Sequence, residues 1–349
     1  MPESQKANAS LTSAVSSPAV EDLAAVAAHF GVRGEMTALS GERDENFRIQ
    51  TEHGAFVLKI THPAEDRGAI AFQTRAMLHI ASADPALPIP RLLPARDGRY
   101  EVEIADRHGE ARIARLLSFL PGTMAAQLPR SRALRAEIGA VLARLDRALA
   151  DFSDPSDTFE LYWDIGRAAA LRPMLAEVAL PVDRDNAGRA LDRFDAVVAP
   201  ALPRLRRQVI HNDLTPFNIL VSAEHPDRIT GIIDFGDLMR APVINDLAIA
   251  CAYHVGRSGD PLAPVLEIVA AYHAVNPLER CECDLLYDLI ATRLAMTVLI
   301  TEWRAARNPE NRAYILKNHP TAAAGLVQLG TITSDEAQRR LRRACKLEV

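Results

Sequence analysis

The chain has 349 residues, 48% of them hydrophobic and 24% charged, enough for two domains or lobes of roughly 150 residues each and for a sizeable buried core. Forty Lys and Arg against 45 Asp and Glu leave a formal charge of −5, which excludes a strongly basic protein that grips nucleic acid by its phosphates and favours a small soluble partner. The four cysteines, Cys251, Cys281, Cys283 and Cys345, do not amount to a disulfide framework, so a reducing, cytoplasmic compartment is expected; Cys281-Glu282-Cys283 lacks a second ligand pair at zinc spacing.

Residues 1–17 are small and polar, lack the basic start and apolar run of an export signal, and are expected to be a disordered tail. Apolar residues at helical spacing from Val20 to Phe30, stopped by Gly31, predict a helix. Phe47 to Gln50 and Ala55 to Ile60 read as strands joined by the turn Thr51-Glu52-His53-Gly54, and Ala69 to Ile80 as an amphipathic helix. Tyr100 to Ile104 and Ala111 to Phe119 are further strands around Gly109. Residues 18–120 are therefore expected to form an antiparallel sheet lobe ending at Leu120-Pro121-Gly122. From there to residue 349 the chain turns alanine- and leucine-rich, with helices expected over Arg132 to Leu149, Asp164 to Val178, Ala187 to Val198 and in several pieces from Asp246 to Val327. Leu285 to Ile300 is the most apolar stretch, but Asp288 and Arg293 interrupt it, so it reads as a buried helix and not as a membrane span.

The sharpest chemistry lies in an island of short apolar runs: Val209-Ile210, Ile219 to Val221 and Ile229 to Ile233. Between the first two, His211-Asn212-Asp213-Leu214-Thr215-Pro216-Phe217-Asn218 holds a carboxylate and an amide oxygen on one side of a tight turn. After the third, Asp234-Phe235-Gly236-Asp237 places another carboxylate where a strand stops. Together these make a hard, oxygen-rich site of the kind Mg2+ takes while keeping waters and bridging phosphates. Phosphoryl transfer calls for such a set: one acid to accept the alcohol proton, and a carboxylate with an amide to hold the metal. A cation is also needed, and Lys59 ends the run Phe56-Val57-Leu58, where alternation points it to one face of the sheet. It follows by one hairpin the loop Ser40 to Asn46, whose single Gly41 is a poor match to a glycine-rich cradle but whose backbone suits covering phosphates.

With these residues in hand the chain resembles the aminoglycoside phosphotransferase and choline kinase-like superfamily over most of residues 25–330. The matching motifs are His211-Asn212-Asp213 with Asn218, Ile233-Asp234-Phe235-Gly236-Asp237, and Asn245-Asp246-Leu247-Ala248. Gly41 to Phe47, Tyr162-Trp163-Asp164 and Arg307-Asn308-Pro309-Glu310-Asn311 look most like the hydroxylysine kinase group, which phosphorylates a hydroxylated amino acid. The resemblance implies an α+β, two-lobed protein-kinase-like fold, with Asp213 as catalytic base and His211 bracing its loop. It further implies Asn218 and Asp234 as Mg2+ ligands, Lys59 on the α and β phosphates of ATP or GTP, and Asp246 as support from the next helix. Gly41 and Asn46 belong to the phosphate-side loop. Ser118-Phe119-Leu120 is the hinge whose backbone meets the base. One departure stands out: where the helix after Lys59 normally supplies a glutamate for that lysine, this sequence has Ala71. Either Glu65 or Asp66 substitutes, or phosphate alone holds the lysine.

The acceptor pocket needs an anionic or π-rich wall for an ammonium group, and Asp237, Trp163, Asp164, Glu302 and Trp303 are its candidates. Trp163 can equally pack the core and Asp164 cap a helix, while Arg339 to Arg343 reads as a solvated helix face with no nucleic-acid role. The expected activity is transfer of a γ-phosphoryl group to the hydroxyl of a hydroxylated amino acid or amino alcohol. Homoserine, choline, ethanolamine and an aminoglycoside are the alternative acceptors. A non-catalytic nucleotide-binding regulatory module is the alternative of another class.

Overall fold

A computed structural model describes residues 22–39, 44–157 and 160–347. The expected tail, the start of the first helix and Gly41 lie outside the described residues. The chain divides into two compact units, one of residues 1–82 with 89–121 and the other of residues 83–88 with 122–349.

The first unit opens with α1 (Leu23–His29), whose first turn is capped by the Asp22 side chain on the Ala25 amide at 2.8 Å. Its sheet runs β1 (Glu35–Leu39), β2 (Glu45–Thr51), β3 (Gly54–Ile60), β4 (Leu92–Leu93), β5 (Val102–Ala105) and β6 (Ala111–Ser118), with α2 (Arg67–Ala83) between β3 and β4. The strand order is β1-β2-β3-β6-β4, with β5 also on β6 and every pairing antiparallel. Alternation sorts the faces. Phe47, Ile49, Leu58, Ile60, Ala114 and Leu116 are buried together against Val26 of α1 and Phe30 just past its end. The intervening positions form a polar row across three strands, because Asn46 opposes Lys59 and Lys59 opposes Arg115.

The second unit begins with β7 (Thr123–Met124) and α3 (Arg132–Ala148), capped by Ser131. The segment expected as a helix from Asp164 is instead a 3-10 helix, Ile165–Glu177, with Pro173 inside it; proline removes the donor an α-helix needs there. Next, α4 (Pro181–Arg193) starts earlier than its apolar spacing predicted, because Pro181 sits in its first turn, where a missing amide hydrogen costs nothing. It continues as a π-helix over Phe194–Val198.

The β island is larger than expected: β8 (Arg207–Ile210), β9 (Ile219–Val221), β10 (Ile229–Ile232) and a fourth strand, β11 (Met239–Pro242), which pairs with β8, while β9 lies between β10 and β7. Helices α5 (Ile244–Ala252), α6 (Ala263–Val275), α7 (Arg280–Arg307), α8 (Arg312–Ile315), α9 (His319–Leu329) and α10 (Ser334–Ala344) complete the unit. Residues 83–88 belong here: the Ile232 amide donates to the Pro88 carbonyl at 2.7 Å and Arg144 pairs with Asp84 at 2.8 Å.

Buried α7 has both of its interrupting charges answered. Asp288 takes a two-pronged contact from Arg193 of α4, at 2.6 and 2.9 Å, and Arg293 reaches the loop after β8. Among the described residues no helix is long and apolar enough to cross a membrane.

Candidate active site

The loop from His211 to Asn218 is held from below. The Asp246 carboxylate, in the first turn of α5 and fully buried, accepts the His211 amide with one oxygen and the Asn212 amide with the other, each at 2.9 Å. Asn212 has φ 64°, a left-handed conformation that asparagine tolerates better than most residues. The Thr215 amide then turns back to the Asp213 carbonyl at 2.7 Å, and the Asn218 amide to the Thr215 carbonyl at 2.9 Å. His211 is buried, and burial holds its ring below the usual histidine range. Its Nε2 faces the Ile233 carbonyl at 3.2 Å while its Nδ1 accepts the Asp213 amide at 3.3 Å. The neutral Nε2–H tautomer meets both needs, so His211 ties this loop to the strand that carries Asp234. Its ring also meets Phe235 edge-on, with centroids 4.9 Å apart.

Strand pairing brings the oxygens together. Ile219 opposes Ile232 in the β9–β10 ladder, and the Ile233 amide donates to the Asn218 carbonyl at 2.9 Å. Asp234 therefore follows directly beside Asn218, at φ 64°. The Asn218 side-chain nitrogen donates to the Asp213 carboxylate at 2.7 Å and to the Asp213 carbonyl at 2.9 Å, which turns its amide oxygen away from Asp213. An amide oxygen and the exposed Asp234 carboxylate are hard donors that suit a small divalent cation completed by water and phosphate.

Arg293 was not singled out as a site residue by sequence reasoning, yet it holds Asp213. From α7 its Nη2 donates to the other Asp213 oxygen at 3.1 Å, its Nη1 donates to the Trp163 carbonyl at 3.3 Å, and its guanidinium lies over the Trp163 ring at 4.6 Å. The arginine side chain is 2% exposed and that of Asp213 is 25% exposed, so a solute can reach the carboxylate but not the cation. Burial, with Asp237 and Asp234 nearby, pushes the Asp213 carboxyl well above the usual range, while Arg293 and Asn218 oppose that shift. A cation bound at Asp234 would work in the same direction as Arg293.

A second support was equally silent in the sequence. Asp146 of α3 is fully buried and accepts from the Tyr272 hydroxyl at 2.5 Å. It meets the Asp246 carboxyl side chain to side chain, and among the described residues no donor reaches its Oδ1. Two carboxyls bond only through a shared proton. Burial raises both carboxyls, and the Asp246 charge drives Asp146 well above the carboxylate range; Asp246 accepts two amides that favour its ionised form, so of the two Asp146 is the better holder of the proton.

The remaining candidates separate. Asp237 acts on Asp213 through its charge, and Trp163 stacks on Arg293. Asp164 caps the 3-10 helix through the Gly166 amide at 2.8 Å, and burial raises its carboxyl. Glu302 faces Arg312 at 3.6 Å and the His319 ring at 3.3 Å, so an arginine of the protein already meets its charge. Trp303 lies under Arg307 at 4.4 Å and beside Tyr162 at 6.1 Å. In the first unit the Ser118 amide donates to the Arg91 carbonyl at 2.8 Å and the Ser118 hydroxyl accepts the Arg91 amide at 2.8 Å, while the Phe119 amide goes to Ala55 at 3.0 Å. Leu120 lies past these bonds.

Lys59 pairs with neither Glu65 nor Asp66: its Nζ lies 2.8 Å from Asp44 Oδ2. Asp66 instead sits at the start of α2, accepting the Ala69 amide at 3.0 Å. Asn46, across the ladder from Lys59, donates to the Asp44 carbonyl at 3.2 Å.

A sheet unit carrying a paired lysine and a helical unit carrying Asp213 and Asn218 on one loop, with Asp234 past the end of the adjoining strand, define a kinase-like phosphotransferase. Residues 35–283 match the phosphotransferase enzyme family, and the chain belongs to it. It is 28% identical over 313 residues to hydroxylysine kinase of Danio rerio, covering 85% of this chain and 86% of that one. It is 30% identical over 252 residues to homoserine kinase of Pseudomonas aeruginosa, covering 70% and 72%. Among solved structures, a microcompartment-associated aminopropanol kinase matches with TM-score 0.63 at 17% identity over 90% of this chain and 98% of that one. An aminoglycoside phosphotransferase from Alicyclobacillus acidocaldarius matches with TM-score 0.60 at 16% identity over 97% and 100%. The protein is a small-molecule kinase, and the reading as a non-catalytic module falls away.

Proposed function

We propose that this kinase transfers the γ-phosphoryl group of ATP or GTP to the side-chain hydroxyl of a hydroxylated amino acid of the hydroxylysine kind. The observation that carries the reading is Asp213 itself, partly exposed, with one oxygen on Arg293 and the other on Asn218. A carboxylate fixed at both oxygens is aimed in one direction, as a base that orients an alcohol must be. The acceptor oxygen forms a bond to Pγ and the bond from Pγ to the β-bridging oxygen breaks, its electron pair leaving on the β phosphate; the hydroxyl proton passes to Asp213. Asn218 and Asp234 would hold Mg2+, which when bound would neutralise charge on the phosphates. Lys59 takes the α and β phosphates, and the Leu120 backbone takes the base. The likeness to hydroxylysine kinases of Danio rerio and Mus musculus supports the acceptor class, and the free thiols support a reducing cytoplasm.

Homoserine kinases at 30% identity favour a second acceptor, homoserine. The test is turnover of Mg·ATP and Mg·GTP against 5-hydroxylysine, homoserine, choline, ethanolamine and an aminoglycoside, ranked by kcat/KM. The reading expects 5-hydroxylysine to lead. A leading amino alcohol without a carboxylate would overturn the acceptor class.

A further inference from the structure

We infer that Asp44 is the residue that positions Lys59 for phosphate, taking from the strand side the place that an acid of α2 would otherwise fill. The inference rests on the kinase reading above.

Asp44 is fixed at three points beside β2. Its Oδ2 lies 2.8 Å from Lys59 Nζ, its Oδ1 accepts the His62 amide at 3.0 Å, and its carbonyl accepts from the Asn46 side chain at 3.2 Å. The two charged side chains keep only 22% and 17% of their surface exposed, so the pair is shielded from water and salt more than a surface bridge is. Burial alone would raise the Asp44 carboxyl; the Lys59 charge and hydrogen bond, the His62 amide and the Arg115 charge outweigh it and hold the carboxyl below its ordinary range.

The helix has no means to do the same work. Ala71 offers no charge, and the polar side chains that α2 turns inward are committed elsewhere. Gln73 Oε1 accepts from Arg115 at 3.1 Å, and the Thr74 hydroxyl lies 3.4 Å from the same guanidinium. Arg115 is the cross-strand neighbour of Lys59. The row Asn46-Lys59-Arg115 thus has its lysine answered from β2 and its arginine from α2. An ion pair closed inside one hairpin is set by ladder register, Glu45 opposite Ile60, and needs no displacement of a helix to form. Aligning this lysine is therefore built into the hairpin, in contrast to kinases in which a helix must swing in to complete a lysine–glutamate pair.

The test uses the full chain with Asp44→Asn, which removes the charge but keeps an oxygen for the His62 amide, and Asp44→Glu as the conservative variant. In the absence of any acceptor, acetylation of Lys59 by an N-hydroxysuccinimide ester is followed by peptide mass spectrometry. The inference expects faster labelling of Lys59 in Asp44→Asn with Lys317 and Lys346 unchanged; equal rates at Lys59 overturn it. In turnover with Mg·ATP, Asp44→Asn is expected to lower kcat by roughly 100-fold, the cost of a misaligned group, with KM for nucleotide changed less than about threefold. Asp44→Glu should recover part of kcat. An unchanged kcat with a lower nucleotide KM would show Asp44 to be only a competitor of phosphate and would also overturn the inference. A parent chain that labels as expected yet phosphorylates no acceptor defeats the proposed acceptor class and leaves the Asp44 assignment standing.

Discussion

Replacing Arg293 with methionine removes the cation that, among the described residues, touches Asp213, while leaving α7 intact, since both residues are good helix formers. The arginine is 2% exposed and loses three contacts: the 3.1 Å bond to Asp213, the 3.3 Å bond to the Trp163 carbonyl and the stacking at 4.6 Å. Breaking a buried ion pair by deleting one partner costs about 3–5 kcal/mol. Asp213 is a quarter exposed, so water recovers part of that loss and a figure near 3 kcal/mol is expected. Catalysis should suffer separately. With only Asn218 left to fix it, the carboxylate swings, and a misplacement of about 1 Å costs on the order of 100-fold in kcat. Urea titration reads the first effect and coupled nucleotide consumption the second, and Arg293→Lys should restore charge and some activity without the planar fork. Arg293→Met with parental kcat would refute the idea that α7 aims the base.

Three other outcomes follow from the buried network and packing. Asp146→Asn keeps a donor toward Asp246 and should change stability by less than about 1 kcal/mol, whereas Asp146→Ala strands the Tyr272 hydroxyl and should cost about 1–3 kcal/mol in denaturant titration; equal losses would contradict a protonated Asp146. His254 is buried and held neutral, its pKa lowered to about 3 by burial first and then by Arg130 and Arg135. Its unfolded form takes up a proton below about 6.5 that the folded form refuses, so stability should fall by about 1.4 kcal/mol per unit as pH drops from there. His254→Gln should flatten that slope between pH 6 and 4, and an unaltered slope would exclude His254 as its source. At Gly139 an added Cβ would meet the Ile268 carbonyl at 2.2 Å where α3 passes α6; Gly139→Ala should lower stability by about 1–3 kcal/mol, and an unchanged melting temperature would show that the helices separate freely.

What the sequence made legible was local. Alternation in Phe56 to Ile60 put Leu58 and Ile60 in the core and Lys59 on the other face. The spacing of Asp213, Asn218 and Asp234 survives because β9 and β10 are adjacent antiparallel strands, so short-range sequence order becomes proximity. The misses are contacts that sequence distance hides. Arg293 was noted only as a charge interrupting an apolar helix, and its partner lies 80 residues away. A charge on the buried stretch of a helix must be answered somewhere, and that rule, applied to Asp288 and Arg293, points to both ion pairs. The acid that answers Lys59 lies beside the hairpin and not on the helix, where kinases keep it. β11 was missed because Met239-Arg240-Ala241-Pro242 is short and ends in proline, which at a strand end needs no amide hydrogen. Asp164 and Glu302 look like pocket anions by composition, but one caps a helix and the other meets Arg312.

In the proposed transfer Asp213 is the group that receives the acceptor proton. Asp213→Asn keeps the size of the side chain and leaves Asn218 and Asp234 in place, so its Mg·AMP-PNP affinity, read by titration calorimetry alongside single-turnover phosphorylation of 5-hydroxylysine, separates binding from chemistry. The expected result is parental nucleotide affinity with transfer slowed by about 100-fold or more. Transfer at the parental rate in Asp213→Asn would contradict the account.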